Sequence, residues 1–257
     1  IGKLKEAENF YRKAIEIQLD FANAHSNLGN LLRDIGKLKE AEVSMRKALE
    51  IDPELSEAHC NLGNLLRDIG NLEEAEISFK KAIQLEPNYF NAKYCLGATL
   101  RDLGNLEEAE ISLKKAIQLK PDSAEAYYTL GIILNDIGNL EEAEISTLKA
   151  IELNPDFVKA HFNLFLQYEI NNNLEKLKAA LKDFEQVKFL KNELLLFRAR
   201  LSFRNREYKT AKKLIDNISP RWIRENINSK ERKFWSYKAF IEDKVGNYDI
   251  AYSCFEK

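Results

Sequence analysis

The chain has 257 residues, 45% hydrophobic and 31% charged, with five prolines and a formal net charge of −2. No apolar run approaches the roughly 18 residues that span a bilayer, no secretory leader is visible, and three cysteines without a CxxC pair make neither a disulfide framework nor a zinc site. The near-neutral total hides an asymmetry: residues 1–185 hold 22 Lys+Arg against 32 Asp+Glu, and residues 186–257 hold 17 against 9, which implies two different partner surfaces.

Glycine sets the organisation. Gly2, Gly36, Gly70, Gly104 and Gly138 form one series with a 34-residue period, and Gly29, Gly63, Gly97 and Gly131 form a second. Pro53, Pro87, Pro121 and Pro155 follow the same period. A fixed period of this size marks a solenoid of stacked helix pairs, in which each unit touches mainly its neighbours. Residues 1–21 carry the second helix of a partial unit, with Ala7, Tyr11 and Ala14. Residues 22–55 then read as one complete unit. Leu28, Leu31, Leu32 and Ile35 make a helical stripe, and Gly36 ends that helix in the left-handed position. Leu38, Ala41, Met45, Ala48 and Leu49 make a second stripe. Asp52-Pro53 stops it, because proline disfavours helical geometry in the residue before it. Units 56–89, 90–123 and 124–157 repeat the pattern. Gly29 sits inside its helix at a cost of about 1 kcal/mol relative to Ala. Its recurrence predicts a close approach of the two helices, with small Ala41 facing Gly29, and likewise Ala75, Ala109 and Ala143 facing the later glycines. After residue 157 the pattern decays: Phe165 stands where the glycine would be and Leu177 where the small alanine would be. Residues 192–218 still resemble a unit through Ala199, Tyr208 and Ala211. A longer connection over 219–230 contains Pro220. Trp235, Ala239, Gly246, Tyr248, Ala251 and Phe255 resemble one more unit, cut off at Lys257.

Leu28-Gly29, Ala41, Met45, Ala48 and Pro53, with their counterparts at Leu62-Gly63, Ala75, Phe79, Ala82 and Pro87, resemble the signature of the tetratricopeptide repeat (TPR) family. The match recurs in phase over residues 1–157, and 158–257 form a divergent TPR-like part. The resemblance implies an all-α, right-handed superhelical solenoid of antiparallel helix pairs that binds a protein or extended peptide in its concave groove. The LRDIGNLEEAEIS units and the NELLLFRARLSFRNREY stretch also resemble repeat proteins of marine cyanobacteria in which a sulfotransferase domain can follow. No phosphosulfate-binding loop occurs here, so that resemblance implies a docking or regulatory region. Self-assembly of the array is a third reading.

Asn27, Asn61 and Asn163 share a first-helix position that faces the groove in the TPR family, where O-GlcNAc transferase uses an asparagine ladder to hold peptide backbones. An amide donates and accepts at once, so it pairs with any peptide unit. Cys95 and Thr129 interrupt the ladder. Asn30 and Asn64 complete the amide candidates. Asn30 and Asn61 match two positions of the chaperone-binding carboxylate clamp, but Ser26, Asn91 and Cys95 stand where its basic residues belong. Arg33, Arg67 and Arg101 end the first helices, each followed by Asp. Helix-dipole stabilisation and Arg–Asp pairing between units account for them, and a bias toward an acidic partner is the functional expectation. Leu-Glu-Glu runs at 72–74, 106–108 and 140–142 suit the first turns of second helices. His25, His59 and His161 share one unit position, held elsewhere by Lys93 and Tyr127. They read as packing residues, too far apart to share a metal. Arg198, Arg200, Arg204 and Arg206 near Phe197 and Phe203 share no helix face and make no nucleic-acid site. No phosphate loop, HExxH or GxSxG occurs. The expectation is a non-catalytic cytoplasmic binding protein with reduced thiols, no cofactor, no metal, and no nucleic-acid or membrane partner.

Overall fold

A computed structural model describes residues 2–171, 173–184, 191–219, 221 and 232–255. They contain fifteen helices and no strand, and they divide into two compact units, Ile1–Asn154 and Pro155–Lys257.

The first unit runs α1 (Gly2–Ile17), α2 (Ala22–Asp34), α3 (Leu38–Ile51), α4 (Ser56–Asp68), α5 (Leu72–Leu85), α6 (Phe90–Asp102), α7 (Leu106–Leu119), α8 (Ala124–Ile137) and α9 (Leu140–Leu153). The helices α2–α3, α4–α5, α6–α7 and α8–α9 pack as pairs, and each pair stacks on the next. This is the all-α solenoid of antiparallel helix pairs that the period predicts. Each first helix of these pairs ends the same way. At Gly70 the backbone turns to φ +85°, its N–H bonds the Arg67 carbonyl at 3.1 Å, and the Asn71 N–H bonds the Leu66 carbonyl at 2.8 Å. That Schellman turn satisfies the last carbonyls, and its left-handed φ favours glycine. Second helices end at extended residues such as Asp52, before proline.

The glycine inside each first helix does open space for its partner helix, but not for the alanine side chain expected there. A Cβ on Gly29 would lie 2.5 Å from Met45 Cγ and 3.1 Å from the Ala41 carbonyl oxygen. On Gly63 it would meet the Phe79 ring at 2.7 Å. The glycine therefore seats the bulky residue four places after the alanine, while the alanine brings backbone to backbone. Met45, Phe79 and Leu113 are fully buried in one continuous core with Leu32, Leu66 and Leu100. Ser44 and Ser112 tie the pairs further, donating to the His25 and Lys93 carbonyls at 2.9 Å.

The second unit runs α10 (Val158–Ile170), α11 (Leu174–Phe184), α12 (Lys191–Arg204), α13 (Tyr208–Asp216), α14 (Arg232–Lys244) and α15 (Tyr248–Phe255). Aromatic rings fill the space that glycine leaves to a partner helix in the first unit. Phe197 is fully buried, with ring centroids 4.1 Å from Phe165 and 5.0 Å from Phe162 and Phe184. Ala199, Ala211 and Ala239 are buried at helix crossings. The Pro220 connection lies almost wholly outside the described residues, as do the side chains of Trp235, Tyr248 and Phe255.

Candidate partner-binding surface

The first helices α2, α4, α6 and α8 present one continuous face, stitched by side chains 35 residues apart. Asn61 Nδ2 donates to Ser26 Oγ at 3.2 Å, and the Tyr94 and Thr129 hydroxyls lie 3.4 Å apart. Arg33 reaches Asp68 at 3.3 Å, Arg67 reaches Asp102 at 2.9 Å, and Arg101 reaches Asp136 at 2.8 Å. Pairing between units is thus what these arginines do in the folded chain. Asn27, Asn30, Asn61 and Asn64 are half-buried on the same face. Asn27, Asn30 and Asn64 make no side-chain hydrogen bond among the described residues, so their donors and acceptors are available. The later units differ in character. Cys95 and Thr129 replace the first amide of each pair, Ala98 and Ile132 the second, and half-buried Tyr94 and Tyr128 flank them. Asn163 is half-buried on α10, in the second unit.

Burial dominates the chemistry of the thiols on this face. It pushes Cys60 up to about 12 and Cys95 up to about 11, so both stay protonated and unreactive near neutrality. The histidines have a structural job: each ring N–H donates to the carbonyl of the preceding turn, His25 to Leu19 at 3.2 Å, His59 to Pro53 at 2.9 Å and His161 to Pro155 at 2.8 Å. In the second unit Arg200 pairs with the Glu169 carboxylate, and Arg204 donates to the Glu169 carbonyl at 2.6 Å.

A second set of ion pairs runs along the second helices, 28 residues apart, and the sequence reading missed it. Arg12 meets Glu40 at 3.0 Å, Arg46 meets Glu74 at 2.6 Å, Lys80 meets Glu108 at 3.9 Å, and Lys114 meets Glu142 at 3.7 Å. Each cation also holds the acid four residues before it, as Arg46 holds Glu42 at 2.8 Å. The signal was present as a basic residue and a Glu kept on the period, but only the crossing of the helices shows which unit supplies the partner. Glu74 and Glu142 double as first-turn residues, their N–H groups donating to the Asn71 and Asn139 side chains.

Family models for the tetratricopeptide repeat match residues 1–21, 56–89, 78–111, 124–157 and 147–179, and TPR repeat models match 29–66 and 97–138. The chain belongs to the tetratricopeptide repeat family. No curated protein matches it. Among solved structures, the TPR protein YrrB, described as having an unusual peptide-binding site, is 26% identical and superposes with a TM-score of 0.60. That likeness covers 77% of this chain and 97% of YrrB. MamA from Desulfovibrio magneticus RS-1 is 26% identical over 65% of this chain and 92% of its own, with a TM-score of 0.58. A TPR protein from Parabacteroides merdae shares the fold, at 20% identity and a TM-score of 0.68 over 98% of this chain and 93% of its own. TPR arrays are interaction modules, and no helix among the described residues is long and apolar enough to cross a membrane.

Proposed function

We propose that this TPR array holds an extended segment of a partner protein along the first-helix face, with Asn27, Asn30, Asn61 and Asn64 binding its backbone. The observation that carries this reading is the set of half-buried amides with unused hydrogen-bonding capacity on one face. A peptide unit offers the complementary donor and acceptor at every residue, so contact of this kind gives affinity with little sequence choice. The likeness to YrrB, a TPR protein with a peptide-binding site, supports it. Arg33, Arg67 and Arg101 serve a partner's acidic side chains only by exchanging their Asp68, Asp102 and Asp136 partners for them, so the arginines bias the choice and do not drive it. Tyr94 and Tyr128 offer aromatic surface to the following part of the segment. The chain acts as a scaffold and not as an enzyme, and the buried, protonated thiols of Cys60 and Cys95 suit the reducing cytoplasm.

The test is the double variant Asn27→Ala/Asn61→Ala against a partner captured from lysate and identified by mass spectrometry. Each lost hydrogen bond is worth about 0.5–1.5 kcal/mol, so affinity falls roughly 5- to 150-fold, while helicity is kept and Tm falls only by what the Asn61–Ser26 bond contributes. Full affinity in the variant, with the partner mapped to another surface, overturns the reading. Capture of the same chain would instead point to self-assembly, and capture of an enzyme to a docking role.

A further inference from the structure

Lys93 breaks a structural habit of the array. At its unit position His25 and His59 donate to the carbonyl of the preceding turn. Lys93 makes no such bond, and neither it nor Lys115 has a carboxylate partner among the described residues. Lys93 is half-buried on α6. Burial lowers its pKa, and the Lys115 ammonium on α7 lowers it further. A third cation, Lys80 on α5, is held by Glu76 at 2.5 Å and more loosely by Glu108 at 3.9 Å. These lysines, with Glu108 and Ser112, line a cavity of about 180 Å³ between α5, α6 and α7. Its floor is the apolar surface of Leu96 and Leu100, and Ile111 forms a wall. Half-buried Lys93 and exposed Lys115 make no ion pair of their own, since the one carboxylate in the cavity, Glu108, is turned to Lys80, so an anion that also covers the apolar floor stabilises them.

We propose that this cleft binds a small carboxylate bearing a short apolar group, with the carboxylate between Lys93 and Lys115 and the apolar part on Leu96 and Leu100. The volume falls below the ~300 Å³ of ordinary ligand pockets, so it admits only a few heavy atoms. A free short-chain carboxylate and the last residue of a peptide both present this chemistry. The cleft opens between second helices, whereas Tyr94, Cys95 and Ala98 of α6 belong to the asparagine-bearing face. The two sites are therefore independent.

The experiment is an NMR titration of the whole chain with isovalerate and with N-acetyl-leucine, alongside isoamyl alcohol, N-acetyl-leucinamide and inorganic phosphate. The two carboxylates are expected to shift signals of α6 and α7 and to raise the Lys93 pKa, with affinity that weakens as salt is added. The alcohol, the amide and phosphate should bind at least tenfold more weakly. Lys93→His places at this position the residue that two sister units carry, so the fold is kept, and it should weaken both carboxylates at least tenfold. Tighter binding of N-acetyl-leucine identifies a peptide terminus as the ligand, and tighter binding of isovalerate a free acid. Absence of carboxylate binding, equal binding of the alcohol or phosphate, or undiminished binding to Lys93→His overturns the proposal.

Discussion

A Cβ added to Gly63 would press on three atoms of the Phe79 ring, all within 2.9 Å, and that ring is fully buried. Gly63→Leu therefore overpacks the α4–α5 crossing and should cost about 1–3 kcal/mol or more, read as a lower Tm and urea midpoint. An equal or raised Tm would count against the close-packing account. The opposite change is available at Arg206, an exposed non-glycine residue at φ +63°. It fills the place in the α12 turn that Gly70 fills after α4, with the Glu207 N–H bonding the Ser202 carbonyl at 2.8 Å. Left-handed geometry costs an L-residue about 1–2 kcal/mol, part of which glycine's extra chain entropy offsets. Arg206→Gly should therefore stabilise by roughly 0.5–1 kcal/mol in equilibrium denaturation. The buried thiols predict an alkaline limb. Well below pH ~8.5, the midpoint for a thiol in an unfolded chain, Cys60 and Cys95 are protonated in both states and stability does not depend on them. From there up to about 12 the unfolded chain releases protons that the folded chain keeps, so stability falls as pH rises. Cys60→Ala/Cys95→Ala should flatten that limb in a Tm-against-pH series, leaving a slope above pH ~10 from Tyr89, whose pKa burial also raises. The need for glycine at position 63 was legible in the sequence from its period alone. The identity of the residue it seats was not, because the offset from Ala75 to Phe79 is set by how the two helices cross.

At the level of helices, the charges on the first-helix face act between units. Arg67 and Asp102 leave 36% and 35% of their side chains exposed, so solvent screens them and the pair is worth about 0.2–1 kcal/mol. A double-mutant cycle of Arg67→Gln and Asp102→Asn should recover a coupling of that size, shrinking in 0.5 M salt, where the Debye length is only some ~4 Å. A coupling indistinguishable from zero at low salt would mean that the pair is made by geometry and not by attraction. Helix ends were the most legible elements: Gly36 and Asp52-Pro53 announce the ends of α2 and α3 at Asp34 and Ile51. The asparagine positions on α2 and α4 followed from the same phase. The cleft at Lys93 did not, since one lysine among histidines carries meaning only once Lys115 is seen to face it. Past residue 157 the signal fades because Phe165 and Phe197 fill space with rings, and ring packing imposes no period on the sequence.

For the first unit as a whole, stability is a sum over neighbours and not a property of one central core. Helices α4 to α7 have stacked pairs on both sides, whereas α1 packs chiefly on α2, with an ion pair from Arg12 to Glu40 of α3. Amide hydrogen exchange should accordingly be slowest in α4–α7 and fastest in α1, and Gly63→Leu should speed exchange in α2–α6 more than in α8–α9. A uniform rise across all nine helices would show that the unit opens as one block. The charge ladders carry a further consequence, one for descent. Every basic residue of the second-helix set meets the glutamate 28 positions ahead, and every arginine of the first-helix set meets the aspartate 35 positions ahead. Each repeat over residues 22–123 thus carries a basic socket on one side and its matching acidic plug on the other, while the repeat over 124–157 keeps the plugs alone, with Asn135 and Leu148 at the two basic positions. A gene that gains or loses a 34-residue segment by unequal recombination keeps all its junctions, and the near-identical LRDIGNLEEAEIS stretches are what such copying leaves behind. Lineages of this protein can therefore change the length of their binding surface in single steps without inventing a new contact.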